Sequence, residues 1–166
     1  NSLSEFLRQL RDGASECAPV LRVGQCGLRR YRDALFLLPG SPVDQKKYST
    51  RRPWNTGAIQ IKGADIGIEG KITNGMGLKL SCLKGNLLEL RWRKGNARLR
   101  PTVNGHHRRV KQLFQEAGVP PWERSRLPLV YYADQLACVP GVAMEHSLTA
   151  SVGEPGIQIM ISDLRM

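Results

Sequence analysis

Ten basic residues crowd the stretch from 91 to 126: Arg91, Arg93, Lys94, Arg98, Arg100, Arg108, Arg109, Lys111, Arg124 and Arg126, set against Glu116 and Glu123 alone. A share proportional to length is about five. Same-sign charges gathered on one scaffold create a local potential that attracts a polyanion and releases its counterions, whereas evenly spread charge mainly confers solubility. The chemistry such residues offer is recognition of phosphate by guanidinium forks. The alternative is a solvated basic face.

Other chemistry has little support in the residue pattern. His106, His107 and His146 are the only histidines, and no carboxylate or cysteine stands at ligand spacing from them. Cys17, Cys26, Cys82 and Cys138 are too far apart for a CxxC metal site and read as reduced, partly buried thiols of a cytosolic protein. No GxSxG, HExxH, Walker lysine or paired-carboxylate pattern proposes a nucleophile or general acid. The GMG at Gly75–Gly77 lacks the strand, helix and lysine context of a phosphate-binding loop and reads as a turn. Independent catalysis is therefore not expected.

The elements that must position the basic strip follow from periodicity. Leu88, Leu90 and Trp92 alternate with Glu89, Arg91 and Arg93, a strand with one apolar and one charged face, and Lys94-Gly95 is a turn. Val110, Leu113, Phe114 and Ala117 fall on one face of a helix expected from about 104 to 118, with Gly118 as its cap. That span puts Arg108 and Arg109 in the first helical turn, where the macrodipole disfavours cations by about 0.3–1 kcal/mol, and Lys111 on the outward face. A phosphate arriving there would turn the penalty into binding. Pro120 and Pro121 stop the helix, and Trp122 is expected to pack back under it.

Upstream, Leu3, Phe6, Leu7 and Leu10 stand at helical spacing between a Ser2/Glu5 capping box and Gly13. Short β-prone runs follow at 20–23, 28–32 and 34–38, with Arg29, Arg30 and Arg32 expected on the outer side. Residues 39–55, with three prolines, read as a connecting loop whose end Trp54 anchors. Alternating apolar residues mark further strands at 59–61, 66–68, 78–80, 127–132, 136–139, 141–144 and 157–161. The expected fold class is α+β: small mixed or antiparallel sheets, one main amphipathic helix packed on the C-terminal sheet, and before them a helix and a β-rich connecting region. The expected division is 1–85 and 86–166.

Composition agrees with a polyanion partner. The 41% hydrophobic content is that of a globular chain, and the net charge of +11 with pI near 10.0 favours nucleic acid over acidic small molecules. No apolar run reaches the roughly 18 residues of a spanning helix, so a soluble, cytoplasmic protein with no membrane partner is expected. The opening NSLSEFLRQL has neither an initiator Met nor signal-peptide character and reads as the interior of a longer chain.

The segment RRVKQLFQEAGVPPWERSRLPLVYYADQLACVPGVAM, Arg108 to Met144, resembles the C-terminal domain of bacterial tRNA(Ile)-lysidine synthetases, most specifically in LFQEAGVPPWERSRLPL. LRRYRDALFLLP at Leu28–Pro39, Trp54 and GMGL at Gly75–Leu78 are similar to the segment preceding that domain. The resemblance implies a ligase that joins lysine to the wobble cytidine of an isoleucine tRNA after ATP adenylates the base. The SGGxDS loop of its N-terminal adenylating domain is absent from this sequence, so ATP is implied for that other domain and no cofactor for this one. What the resemblance implies here is tRNA binding at the acceptor stem, alongside the catalytic domain of the same chain, on a fold similar to a domain of the phenylalanyl-tRNA synthetase β chain. Family members commonly carry Arg-Ser near the start of the basic helix, where this chain has Asn104-Gly105-His106-His107. The rival expectation is a protein-interaction module in which Leu3, Phe6, Leu7 and Leu10 dock on a partner and the basic strip only solubilises.

Overall fold

The computed structural model describes residues 3–12, 20–39, 51–61, 65–83, 88–92 and 96–163. They fall into two compact units, 1–44 and 45–166.

In the first unit, helix α1 (Leu3–Asp12) accompanies an antiparallel meander of β1 (Val20–Val23), β2 (Cys26–Tyr31) and β3 (Ala34–Pro39). The helix stripe divides: Phe6 is buried, while Leu3 and Leu7 are exposed. The expected caps Ser2 and Gly13 lie outside the described residues. Arg30 does not line an outer side as the sequence suggests. Its guanidinium donates to the Leu10 carbonyl at the end of α1 and, through Nε, to the Arg32 carbonyl at 2.9 Å, placing a cation where the helix dipole favours one.

The second unit is built in three layers. A four-stranded antiparallel sheet has the order β5 (Ile59–Ile61), β6 (Ile66–Asn74), β14 (Pro155–Asp163), β7 (Leu78–Lys79). A five-stranded antiparallel sheet has the order β13 (Ala143–Met144), β12 (Gln135–Val139), β11 (Leu129–Tyr132), β8 (Leu88–Arg91), β4 (Arg51–Trp54). Between these sheets lies a core that includes Trp54, Ile66, Ile68, Leu78, Leu88, Leu90, Val130 and Ile157. Leu129, Leu136 and Val139 belong to a second core with helix α2 (Val110–Glu116), so the five-stranded sheet is buried on both faces. The α+β class with the main helix on the C-terminal sheet is as expected, and every strand pairing is antiparallel.

Three expectations need correction. The division falls at 44/45 rather than near 85, because β6 pairs with β14 along all nine residues and β4 pairs with β8. Residues 51–54, read as loop, are the outermost strand β4. Pro53 is tolerated there because an edge position needs no N–H from it. Trp54 does anchor this end, buried and donating Nε1–H to the Gly57 carbonyl at 2.7 Å. After Lys79 the chain leaves the sheet as a 3₁₀ turn, Leu80–Leu83. The GMG turn is structural: at Gly77 φ is +84°, and a Cβ would lie 2.2 Å from the Ile157 carbonyl oxygen of β14.

Candidate nucleic-acid interface

Helix α2 is shorter than its sequence pattern suggests. It runs from Val110 to Glu116, and Arg108–Arg109 form a strand, β10, antiparallel to β9 (Arg98–Leu99). The first-turn placement of Arg108 and Arg109 is therefore corrected: Arg109 is the extended N-cap residue and Arg108 precedes it. The reason is a non-local pairing. The backbone that a polar, helix-permissive sequence would coil is recruited by β9, and Val110 N–H donates to the Ala97 carbonyl at 3.0 Å instead of to a preceding turn. Residues 100–107 close the connection, with Gly105 N–H on the Thr102 carbonyl at 3.1 Å; a Cβ on Gly105 would lie 2.2 Å from Thr102 Oγ1.

Apolar burial fixes this element's orientation. Val110, Leu113 and Phe114 are buried against Leu99, Leu129, Leu136 and Val139. Full burial of a Phe side chain contributes about 1.5–3 kcal/mol. With that face inward, Arg98, Arg108, Arg109 and Lys111 are exposed, as are His106 and His107 in the preceding turn. Arg108 forms an exposed ion pair with Glu116, of the kind typically worth about 0–1 kcal/mol. Among the described residues Arg98, Arg109 and Lys111 have no ion pair.

The other cations of the strip are used inside the fold. Arg124 is buried and donates Nε–H to the Val119 carbonyl at 2.8 Å, closing the exit of α2 onto the short helix α3 (Pro121–Arg124). Arg126, 4% exposed, pairs with Glu123, lies 3.7 Å from Asp163 and donates to the Asp65 carbonyl at 3.5 Å. Arg91 pairs with Glu89 at 2.7 Å and with Asp134, and its guanidinium lies 4.3 Å from the centre of the Tyr131 ring. Burial opposes its charge, but the hydrogen bonds it donates to the Asp134 and Glu89 carboxylates outweigh that, and its pKa is raised further. Burial likewise pushes the Tyr131 phenol up, with Arg91 partly offsetting the shift.

Arg124 and Arg126, expected among the RNA-binding cations, both point into the fold, where carbonyl and carboxylate partners offset the cost of desolvating a guanidinium. Arg93 and Lys94 lie outside the described residues. Arg100 is half-buried. Its N–H donates to the Glu145 carboxylate at 2.7 Å, its carbonyl accepts from His146 N–H at 2.8 Å, and its Nε is buried with no hydrogen-bond partner among the described residues. Glu145 is the residue that sequence reasoning missed. It is buried, and it pins the end of the basic strand to the 3₁₀ turn His146–Leu148. A lone glutamate after a short strand carries no signal of that role.

Residues 88–161 match the family described as TilS substrate C-terminal domain. The chain is 35% identical over 156 residues to the tRNA(Ile)-lysidine synthase of Chromobacterium violaceum, covering 92% of this chain and 34% of that protein. It is 33% identical over 129 residues to the enzyme of the same name from Legionella pneumophila strain Paris, covering 78% and 28%. The chain thus spans about a third of the length of these relatives. A solved TILS C-terminal domain superposes with a TM-score of 0.55 over 70% of this chain and 99% of that one, at 19% identity.

Proposed function

We propose that this chain holds tRNA for a tRNA(Ile)-lysidine synthase through its acceptor stem, a reading supported by the match of residues 88–161 to the family described as TilS substrate C-terminal domain and by the likeness to tRNA(Ile)-lysidine synthases. In this reading, ATP-dependent joining of lysine to the wobble cytidine takes place in an adenylating domain outside this sequence, and the present residues supply affinity and placement. The observation that carries the reading is the exposed group Arg98, Arg108, Arg109 and Lys111 on β9, β10 and α2, of which only Arg108 is neutralised by an acid among the described residues.

An A-form stem hides its major-groove base edges from side chains, so such cations work on phosphates and 2′-hydroxyls. Fixing one end of the tRNA also restricts where the anticodon can lie, which lowers the entropic part of the reaction barrier.

The test is titration of the chain with tRNA at 50 and 200 mM salt. Three to four phosphate contacts imply a loss of affinity of roughly 40- to 150-fold over that range. Docking through the exposed Leu3 and Leu7 would instead be nearly insensitive to salt. Binding that does not weaken with salt refutes the tRNA reading.

A further inference from the structure

Within the β9–β10 ladder, Arg109 stands directly opposite Arg98, and Arg108 opposite Leu99. Directly opposed residues share a face of the sheet, with Cβ atoms about 4.5–5.5 Å apart, and like charges in that position work against the pairing. Leu99 is fully buried, so Arg98 and Arg109 share the face turned away from it. Both side chains are exposed, and neither has an ion pair among the described residues.

Their surroundings show that acids are available to arginines elsewhere. Arg108 is taken by Glu116, Arg91 by Glu89 and Asp134, and Arg126 by Glu123. The opposed pair Arg98/Arg109 is held together against its own repulsion by burial of Leu99 and Val110 and by the Val110–Ala97 backbone bond. An anion between the two guanidinium groups would remove that repulsion.

Resting on the tRNA reading above, we propose that Arg98 and Arg109 form a clamp for a single RNA backbone phosphodiester. A phosphodiester presents two unesterified oxygens and one negative charge. Two guanidinium forks set this close on one face converge on it, one to each oxygen. The clamp binds one phosphate with two arginines, so the two residues act as a unit rather than as two independent contacts.

The test compares the 166-residue chain with R98Q, R109Q and R98Q/R109Q, each titrated with tRNA over a salt series. A shared phosphate predicts that the double variant loses about one unit of salt slope in total, roughly tenfold in affinity at 0.1 M salt, and each single variant less. A loss of one unit in each single variant and two in the double means two separate phosphates and overturns the clamp. Thermal melts of the free proteins guard against misfolding: relief of repulsion keeps Tm level or raises it, and a fall in both single variants overturns the proposal.

Inorganic phosphate supplies an arm that does not depend on RNA. The Nε–H NMR signals of Arg98 and Arg109, assigned through the single variants, should move together along one phosphate isotherm. If phosphate moves both while tRNA fails to bind, the paired arginines share a phosphate but not one of tRNA, and both the tRNA reading and the assignment of the clamp to tRNA fall. If tRNA binding is salt-dependent and identical in wild type and double variant, the clamp falls and the tRNA reading stands.

Discussion

Replacing Arg126 with methionine separates a structural arginine from an RNA-binding one. The side chain is 4% exposed and ties three distant pieces of chain together: Glu123 in α3, the Asp65 carbonyl ahead of β6, and Asp163 at the end of β14. Removing one partner of a buried ion pair typically costs about 3–5 kcal/mol, because the other is left charged and desolvated. Here the figure is lower. The Glu123 side chain retains 19% exposure and can turn toward water, and the Asp163 contact, at 3.7 Å with a side chain 46% exposed, contributes little. Methionine also refills most of the volume. We expect a loss of about 2–4 kcal/mol.

Urea unfolding followed by tryptophan fluorescence is suited to the measurement, since Trp54, Trp92 and Trp122 all lie in the 45–166 unit. The loss corresponds to a fall in Tm of roughly 10 °C. Neutralising the stranded carboxylate in E123Q/R126M should restore about 1–2 kcal/mol. Measured well below Tm, the salt slope for tRNA should equal that of the wild type. Unchanged stability together with a salt slope reduced by about one unit would show that Arg126 reaches RNA phosphate, and the assignment of this residue to the interior would be refuted.

Two further expectations follow from backbone geometry and burial. G77A forces a side chain into a left-handed conformation (φ +84°) and places its Cβ 2.2 Å from the Ile157 carbonyl oxygen, so it should lower stability by at least about 2 kcal/mol; wild-type unfolding would contradict that close approach. Burial pushes the Cys138 thiol up to about 12 from an ordinary 9.0. Above pH 9 the unfolded chain therefore loses this proton while the folded chain keeps it, and stability falls as pH rises toward 12, by at most about 1.4 kcal/mol per pH unit. Unfolding of wild type and C138A between pH 8 and 10.5 should show a shallower decline in the variant, and equal slopes would disprove the assignment.

Local patterns were sufficient for features whose cause is local. Leu3, Phe6, Leu7 and Leu10 mark α1, and the alternation of Leu88 and Leu90 with Glu89 and Arg91 marks β8 with the correct face inward. Val110, Leu113 and Phe114 identify both α2 and the face it buries, because a helix of any start point places those three together. The local basic surplus likewise needs no partner to be visible.

Whatever depends on a distant partner was decided by tertiary structure. Arg108 and Arg109 are extended because β9 pairs with them, and residues 51–54 are a strand because β8 lies beside them. The unit boundary moves to 44/45 because β14 completes a sheet with β6, some ninety residues earlier in the chain. Ten cations of one strip look equivalent in sequence. Folding separates Arg124 and Arg126, for which carbonyls and carboxylates were within reach, from Arg98, Arg109 and Lys111, which remain facing solvent. A guanidinium is buried only where the fold brings acceptors to it, and the positions of those acceptors are set by strand pairing rather than by neighbouring residues.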